Sequence, residues 1–156
     1  MMKSKIVCYK GDMMNYPVGL NLMSNMKIIK LMARKLNLLY GKTGKEIIFW
    51  TRGSSGAIIA SVTATFLKHN ECYINHVKKE GESSHSSNQM RVDANSINII
   101  IDDFICTGDT IKKIIEAFNS NYTYGSDKKI DCLCISDSIN KELSFLDKFD
   151  SIVCSK

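Results

Sequence analysis

The stretch IIIDDFICTGDTIKKII, residues 99–115, contains the pattern that decides the fold. It begins with three isoleucines, which is typical of a strand that is buried on both faces. Two adjacent aspartates end this run, and a turn with two threonines and a glycine leads into apolar residues at helical spacing. The stretch therefore predicts a buried strand, a polar turn and a helix, which is a repeating unit of parallel α/β sheets.

The same alternation of strands and helices continues along the rest of the chain. Nearly continuous apolar runs predict strands at 5–9, 46–51, 72–77, 97–102, 129–136 and 151–154. Apolar positions at helical spacing, or rows of small residues, predict helices at 24–40, 55–69 and 109–119. We therefore expect an α/β fold with a mostly parallel central sheet and helices on both faces. Ligands bind beyond the carboxyl ends of the strands in such sheets.

Length and composition indicate a single domain over residues 1–156. The chain is 44% hydrophobic and 24% charged, with one proline and no low-complexity tail. No stretch approaches the roughly 20 apolar residues of a membrane span, and the first residues turn polar too early for a secretory signal. We therefore expect a cytoplasmic protein with no membrane partner.

Cysteine usage and charge narrow the classes of function. None of the six cysteines forms a Cys-x-x-Cys pair, which favours reduced core residues over a metal site or a disulfide framework. The net charge of +5 suits a phosphate-rich small ligand. Because the sequence has no arginine-rich arm and no aromatic-basic stripe, we expect no general nucleic-acid binding.

The polar turn carries the groups that a sugar phosphate needs. Asp102 and Asp103 end the strand, where neighbouring side chains face opposite ways and can splay toward a ligand and a second partner. The turn at 106–110 then reaches a helix N-terminus, whose amides and dipole bind phosphate. The alternative is structural, with an acidic strand end and Asp109 as helix N-cap. That alternative leaves the aspartate doublet and its spacing to Thr-Gly-x-Thr unexplained.

The segment NIIIDDFICTGDT, residues 98–110, resembles the ribose-phosphate motif of the type I phosphoribosyltransferases. That motif has four apolar residues, two acids, three variable positions and Thr-Gly-x-Thr, and Asn98 is the one soft spot in this match. The resemblance implies the type I phosphoribosyltransferase fold, with phosphoribosyl pyrophosphate as a substrate. It also implies that Asp102 and Asp103 hold the ribose hydroxyls and Mg²⁺, the latter partly through water. The 5′-phosphate would be cradled by Cys106, Thr107, Gly108, Asp109 and Thr110.

Two further stretches resemble parts of the same family. FWTRGSSGAIIA, residues 49–60, looks like the pyrophosphate-binding loop, and VKKEGESSHSSN, residues 77–88, looks like the mobile catalytic loop of orotate phosphoribosyltransferases. The Lys-to-His spacing in the second stretch is one residue longer than in those enzymes, and a solvated hairpin loop is its alternative. The resemblance implies that pyrophosphate binds to Arg52, Gly53, Ser54, Lys78 and Lys79. It further implies that Lys79 and His85 join the two aspartates as catalytic residues.

The identity of the base is the most open part of this prediction. Residues 9–36 resemble the hood of orotate enzymes, in which Lys10 would meet the orotate carboxylate. We expect a catalytic core at about 24–137 and a small hood from 9–23, with the C-terminus as a second candidate for the hood. Cys106 stands where 6-oxopurine enzymes usually carry an acid, which disfavours those substrates.

We therefore expect a Mg²⁺-dependent pentosyltransferase of pyrimidine biosynthesis, acting as a homodimer on orotate or a similar base. Two alternatives stay open. One is a phosphoribosyltransferase for adenine or a 6-oxopurine. The other is a non-catalytic nucleotide-binding regulator with the same fold.

Overall fold

A computed structural model describes residues 4–9, 22–68, 71–81, 90–103, 107–121, 129–134 and 149–155. Six strands and three helices occupy these ranges. The strands are β1 (Ser4–Tyr9), β2 (Ile47–Thr51), β3 (Cys72–His76), β4 (Ile97–Asp102), β5 (Ile130–Cys134) and β6 (Phe149–Ser155). The helices are α1 (Leu22–Tyr40), α2 (Ser54–Thr65) and α3 (Asp109–Asn121). None of the helices in these ranges has the length and apolar character needed to cross a membrane.

The strands form one six-stranded sheet in the order β3-β2-β4-β5-β1-β6. Every neighbouring pair is parallel, which confirms the predicted α/β architecture. In the register of the β2–β4 pair, Trp50 of β2 lies beside Ile100 of β4. The chain leaves both strands at the same edge, so residue 52 emerges level with residue 102. The register thus brings two of the predicted ligand-binding segments together.

Both faces of the sheet are covered by helices, as the apolar runs predict. All five residues of β2 are buried, and their side chains alternate between two clusters. Ile48 and Trp50 belong to a cluster with α3, whereas Ile47 and Phe49 belong to a cluster with α1 and α2. Each fully buried side chain of this size stabilises the fold by roughly 1.5–3 kcal/mol. The central strands are therefore held rigidly from both sides.

Helix α2 ends at Thr65, four residues before the predicted end at 69. The amide of Phe66 donates to Thr63 O, and that of Leu67 donates to Ala64 O, so i→i−3 bonds close the last turn. The side chain of Asn37 in α1 then donates from Nδ2 to Phe66 O at 3.1 Å. A contact with another helix therefore helps to terminate α2, and such a contact leaves no trace in the local sequence pattern.

Both chain ends form strands of the sheet, in agreement with the strands predicted at 5–9 and 151–154. β1 pairs with β5 on one side and with β6 on the other, so the sheet extends beyond the expected core of 24–137 in both directions. Residues 149–155 form an edge strand beside β1, and the suggestion that the C-terminus contributes to the hood stays a prediction. Of the predicted hood at 9–23, residues 10–21 lie outside the described residues.

Candidate active site

A cleft of about 300 Å³ opens at the carboxyl ends of β2 and β4. It is lined by the loop before α2, the end of β4, the turn before α3 and a single residue, Lys79, of the segment that follows β3. This is the edge where ligands bind in parallel α/β sheets. The lining residues are Arg52, Gly53, Ser54, Ser55, Lys79, Asp102, Asp103, Thr107, Gly108, Asp109, Thr110 and Ile111.

The two aspartates meet at the wall of the cleft. Each is only 7% exposed, and the backbone amide of Asp103 donates to Asp102 Oδ1 at 3.0 Å. The two side chains are close enough for Asp103 to raise the pKa of Asp102, and their splaying toward separate partners stays a prediction. The chain leaves the strand after Asp102, and the alternation of faces no longer applies to the next residue.

This pairing perturbs the ionisation of Asp102. Burial, and after it the neighbouring Asp103, raise the pKa of Asp102 from 3.8 to about 8, while Lys79 acts in the opposite direction. The protonated form of Asp102 is therefore favoured near neutral pH unless more positive charge reaches the pair. Such a pair of buried oxygen ligands is suited to a cation.

The turn before α3 presents a helix N-terminus to the cleft. Gly108 has a φ of +79°, a conformation that favours glycine, and its carbonyl accepts from Lys112 N at 2.9 Å. Gly108 is therefore the N-cap, and Asp109 is the first helical residue rather than the cap. The hydroxyl of Thr107 accepts from Asp109 N at 3.3 Å and donates to Asp109 Oδ2 at 2.9 Å. The following amides lack acceptors within the helix and are suited to an anion.

A second helix N-terminus, that of α2, lines the same cleft. Gly53 precedes it with a φ of +85° and a ψ of 169°. Gly56 packs against β4 so closely that a Cβ atom there would lie 2.8 Å from Ile101 O. Only a residue without a side chain lets the first turn of α2 approach β4 in this way. The cleft is thus flanked by the positive ends of two helix dipoles.

Two basic side chains complete the cleft. Arg52 has its Nε atom buried, and the described residues offer this atom no hydrogen-bond partner. Lys79 lies against the α2 loop, where a Cβ atom on Gly53 would be 2.7 Å from Lys79 Nζ. A cation is therefore held beside the amides of α2 and close enough to Asp102 to lower its pKa.

Both ends of the predicted catalytic loop are anchored to β3 or β2. Val77 N donates to Thr51 O at 2.8 Å, which fixes the chain shortly before Lys79. The side chain of Asn75 donates to Arg91 O at 2.8 Å and accepts from Arg91 N at 2.9 Å. Asn75 is only 3% exposed, so this clamp is shielded from water. The first anchor lies at the carboxyl end of β2, whereas the guanidinium of Arg91 reaches Glu46 before the start of β2, at 3.0 Å.

The structure brings most of the predicted site residues into one cleft, but not all of them. Lys78 is not among the lining residues. Lys10, His85 and Cys106 lie outside the described residues, and their roles stay predictions. The sequence reasoning missed Ser55 and Ile111 as lining residues. Both lie in the first turn of a helix, so the predicted helix starts could have identified them.

Comparison with known proteins gives distant similarity to solved structures. No family model and no curated protein matches the chain. A solved structure of a hypoxanthine phosphoribosyltransferase from Staphylococcus aureus matches 83% of this chain and 75% of its own chain, with 16% sequence identity and a TM-score of 0.47. It is named as a phosphoribosyltransferase, the class of enzyme that the motif at 98–110 resembles. We base the functional proposal on the residues of the cleft.

Proposed function

We propose that this protein is a Mg²⁺-dependent phosphoribosyltransferase that transfers ribose 5-phosphate from phosphoribosyl pyrophosphate to a nucleobase. One observation carries the proposal, which is the meeting of a buried aspartate pair with two helix N-termini and two cations in a single cleft. Phosphoribosyl pyrophosphate has the complementary groups, namely a diol between a monophosphate and a diphosphate.

The two helix N-termini are matched to the two ends of this substrate. The amides that begin α3, with the hydroxyls of Thr107 and Thr110, would hold the 5′-phosphate. The amides that begin α2, with Arg52 and Lys79, would hold the pyrophosphate. The buried and unpartnered Nε of Arg52 supports this assignment, because a buried donor without an acceptor is costly unless a ligand supplies one.

The aspartate pair lies between these ends, where the ribose hydroxyls would be. Its residues also fit Mg²⁺. Burial and the neighbouring Asp103 disfavour the ionised form of Asp102, and a bound cation would offset both effects. In the described part of the chain, no group of three or more acidic, His or Cys side chains could form a metal cage. That suits Mg²⁺, which takes one or two carboxylates and completes its shell with water and substrate phosphates. When bound, the ion would offset negative charge on the pyrophosphate.

The reaction needs positioning and electrostatics more than covalent chemistry. A ring nitrogen of the base attacks the anomeric carbon, the carbon–oxygen bond to pyrophosphate breaks, and the electron pair leaves with pyrophosphate. Positive charge develops on the ribose, where Asp102 and Asp103 would stabilise it. Negative charge develops on the leaving group, where Arg52, Lys79 and the α2 amides would stabilise it. Closure of the loop that carries Lys79 and His85 would exclude water.

Two classes of base remain candidates. The sequence favours orotate or a similar base, through Lys10 and the loop that carries His85. The structural neighbour is named for hypoxanthine, and a purine substrate is therefore an equal candidate. The residues that would choose between them lie mostly outside the described ranges. The homodimer and the cytoplasmic location also stay predictions.

A pyrophosphate-release assay tests the proposal. The protein is incubated with phosphoribosyl pyrophosphate and Mg²⁺ and, in turn, orotate, uracil, adenine, guanine, hypoxanthine or xanthine. We expect release with one class of base, and a loss on the order of 10²-fold in kcat for Asp103→Asn. Tight binding of phosphoribosyl pyrophosphate without release for any base would assign a binding module. Absence of both binding and release would refute the proposed function.

A further inference from the structure

A second concave surface lies at the other end of α2. We define this basic groove by Lys30, Arg34 and Leu38 of α1, Lys42 after α1, and Phe66 and Lys68 after α2. The groove has a volume of about 510 Å³, within the range of small-molecule sites. It shares no residue with the cleft, because the first turn of α2 lines the cleft and the residues after its last turn line the groove.

The groove is surrounded by positive charge. Its lining includes four basic side chains and no acidic one. Lys30, Arg34 and Leu38 are four residues apart, so they form a row along one face of α1. The salt bridges within the described ranges use Arg91, Lys113 and Lys129, which lie elsewhere. The groove therefore presents a concentrated positive field to an incoming ligand.

The floor of the groove is apolar and contains an aromatic ring. Leu38 is 74% exposed and lines the groove together with Phe66. Lys30 Nζ lies 5.5 Å from the centroid of the Phe66 ring. A cation held over an aromatic ring is attracted to its face and can pair with an anion at the edge of the ring. The groove thus offers stacking and charge at the same place.

The shape of the groove is fixed by buried or well-paired groups. Asn37 donates from Nδ2 to Phe66 O and accepts at Oδ1 from Lys68 N, each at 3.1 Å. At the end of α1, Gly41 N donates to Asn37 O, and Thr43 N donates to Tyr40 O. These bonds fix the end of α1 beside Lys42, and basic side chains are favourable near a helix C-terminus.

We propose that the basic groove is a second ligand site, which binds a nucleoside di- or triphosphate. The base lies on the apolar floor against Phe66 and Leu38, and the phosphates lie among Lys30, Arg34, Lys42 and Lys68. Four cations match several phosphate charges better than the single charge of a fatty acid. A second copy of the chain is disfavoured, since the same four cations would face each other. The concave shape favours a small ligand over a flat lipid surface.

Fluorescence anisotropy with N-methylanthraniloyl ATP, without Mg²⁺, tests this site in the full-length protein. We expect saturable binding that unlabelled ATP displaces, and that inorganic triphosphate displaces less well because it lacks a ring. Arg34→Glu and Leu38→Glu should each raise Kd by at least about tenfold, since each puts a negative charge in the groove. Lys113→Glu and Leu39→Glu are matched controls, because they make the same changes at exposed positions that do not line the groove, and they should change Kd less than about twofold.

The cleft variant Arg52→Ala separates this proposal from the proposed function. It should leave Kd for the probe unchanged, whatever happens to pyrophosphate release. The proposal fails if the wild-type protein shows no saturable binding, or if Arg52→Ala alone weakens it. It also fails if Arg34→Glu and Leu38→Glu bind the probe like the wild type. Binding of anionic phospholipid vesicles or of a single-stranded oligonucleotide that ATP does not displace would assign the groove to a different partner.

Discussion

The carboxyl group of Asp102 titrates in a range where most aspartates are fully ionised. Burial and Asp103 raise its pKa from 3.8 to about 8 in the folded protein. Between these values the folded state binds a proton that the unfolded chain releases, so stability falls as pH rises. The contribution is fully present below about pH 4 and is lost as the pH rises through about 8.

Substitution of Asp102 by Asn should remove this dependence, because the amide cannot ionise. We expect Asp102→Asn to match the wild type in stability near pH 4 and to exceed it near pH 8 by about 1 kcal/mol or more. Urea denaturation at a series of pH values without Mg²⁺ measures the difference. Glu116→Gln, at an exposed position on α3, is the control and should follow the wild-type slope. Parallel curves for the wild type and Asp102→Asn would contradict the assignment.

Gly53 has no side chain, and this leaves space for the side chain of Lys79. Gly53→Ala should cost about 1–2 kcal/mol in stability for the left-handed backbone and should also displace Lys79 from the α2 loop. Gly44→Ala also has a left-handed φ, of +64°, but its Cβ would meet nothing within 4 Å. Gly53→Ala should therefore lose at least as much stability as Gly44→Ala. Only Gly53→Ala should raise the Kd for pyrophosphate, by about tenfold in calorimetry. Equal pyrophosphate affinity in the two variants would show that Lys79 does not contribute.

At the scale of elements, β4 contains a polar residue in an otherwise apolar run, and the structure explains it. Asn98 is 6% exposed, and its Oδ1 accepts from Trp50 Nε1 at 2.9 Å across the β2–β4 pair. The ring of Trp50 packs edge-on against Phe118 of α3, with 5.4 Å between centroids. The departure of Asn98 from the family motif is therefore compensated by the tryptophan on the neighbouring strand.

This pair should behave as a unit in a double-mutant cycle. Asn98→Val leaves a buried indole N–H without its acceptor, and Trp50→Phe leaves a buried amide oxygen without its donor. Each should lower the free energy of unfolding by about 1–3 kcal/mol, with the loss of indole packing added for Trp50→Phe. The double variant should lose less stability than the sum of the two single losses, by roughly 1 kcal/mol or more, as measured by urea denaturation. Additive losses would mean that the hydrogen bond contributes little.

Some features of these elements follow from the local sequence pattern, and others depend on contacts between distant residues. The apolar runs around β2 and β4 and the helical spacing of Ile111, Ile114 and Phe118 predict these elements within one or two residues, because burial on a sheet face is a periodic property. The early end of α2 depends on Asn37, which lies 29 residues before Phe66. The position of Lys79 depends on the absence of a side chain at Gly53. Contacts of this kind join residues that are far apart in the sequence, so a periodic sequence pattern does not reveal them.

The aspartate pair illustrates the same limit for the site. Its position at the end of β4 follows from the strand pattern, and its proximity to Arg52 follows from the strand register. That both carboxyl groups are buried and meet depends on the path of the chain after the strand ends. The residues of the cleft were therefore predictable as a set, whereas the ionisation of Asp102 was not.

At the scale of the whole molecule, the cleft lies where elements from both faces of the sheet meet. Its lining comes from the segments that follow β2, β3 and β4 and from the first turns of α2 and α3, which lie on opposite faces of the sheet. A ligand that fills the cleft would therefore link both layers of helices to the sheet edge. Binding to the folded state alone also stabilises it by mass action.

Phosphoribosyl pyrophosphate with Mg²⁺ should therefore raise the thermal unfolding temperature. At a ligand concentration of about 100 times Kd, binding stabilises the folded state by about 2.7 kcal/mol. This corresponds to a rise of roughly 5–10 °C in unfolding temperature for a chain of this size. The shift should be larger with both components than the sum of their separate shifts, since the carboxylates and the phosphates would share the ion. Asp103→Asn should reduce the joint shift, while Gly44→Ala, which lies away from the cleft, should retain it. A shift that is the same with and without Mg²⁺, or that survives Asp103→Asn unchanged, would show that substrate binds without the aspartate pair. The sugar phosphate would then have to be placed elsewhere on the protein.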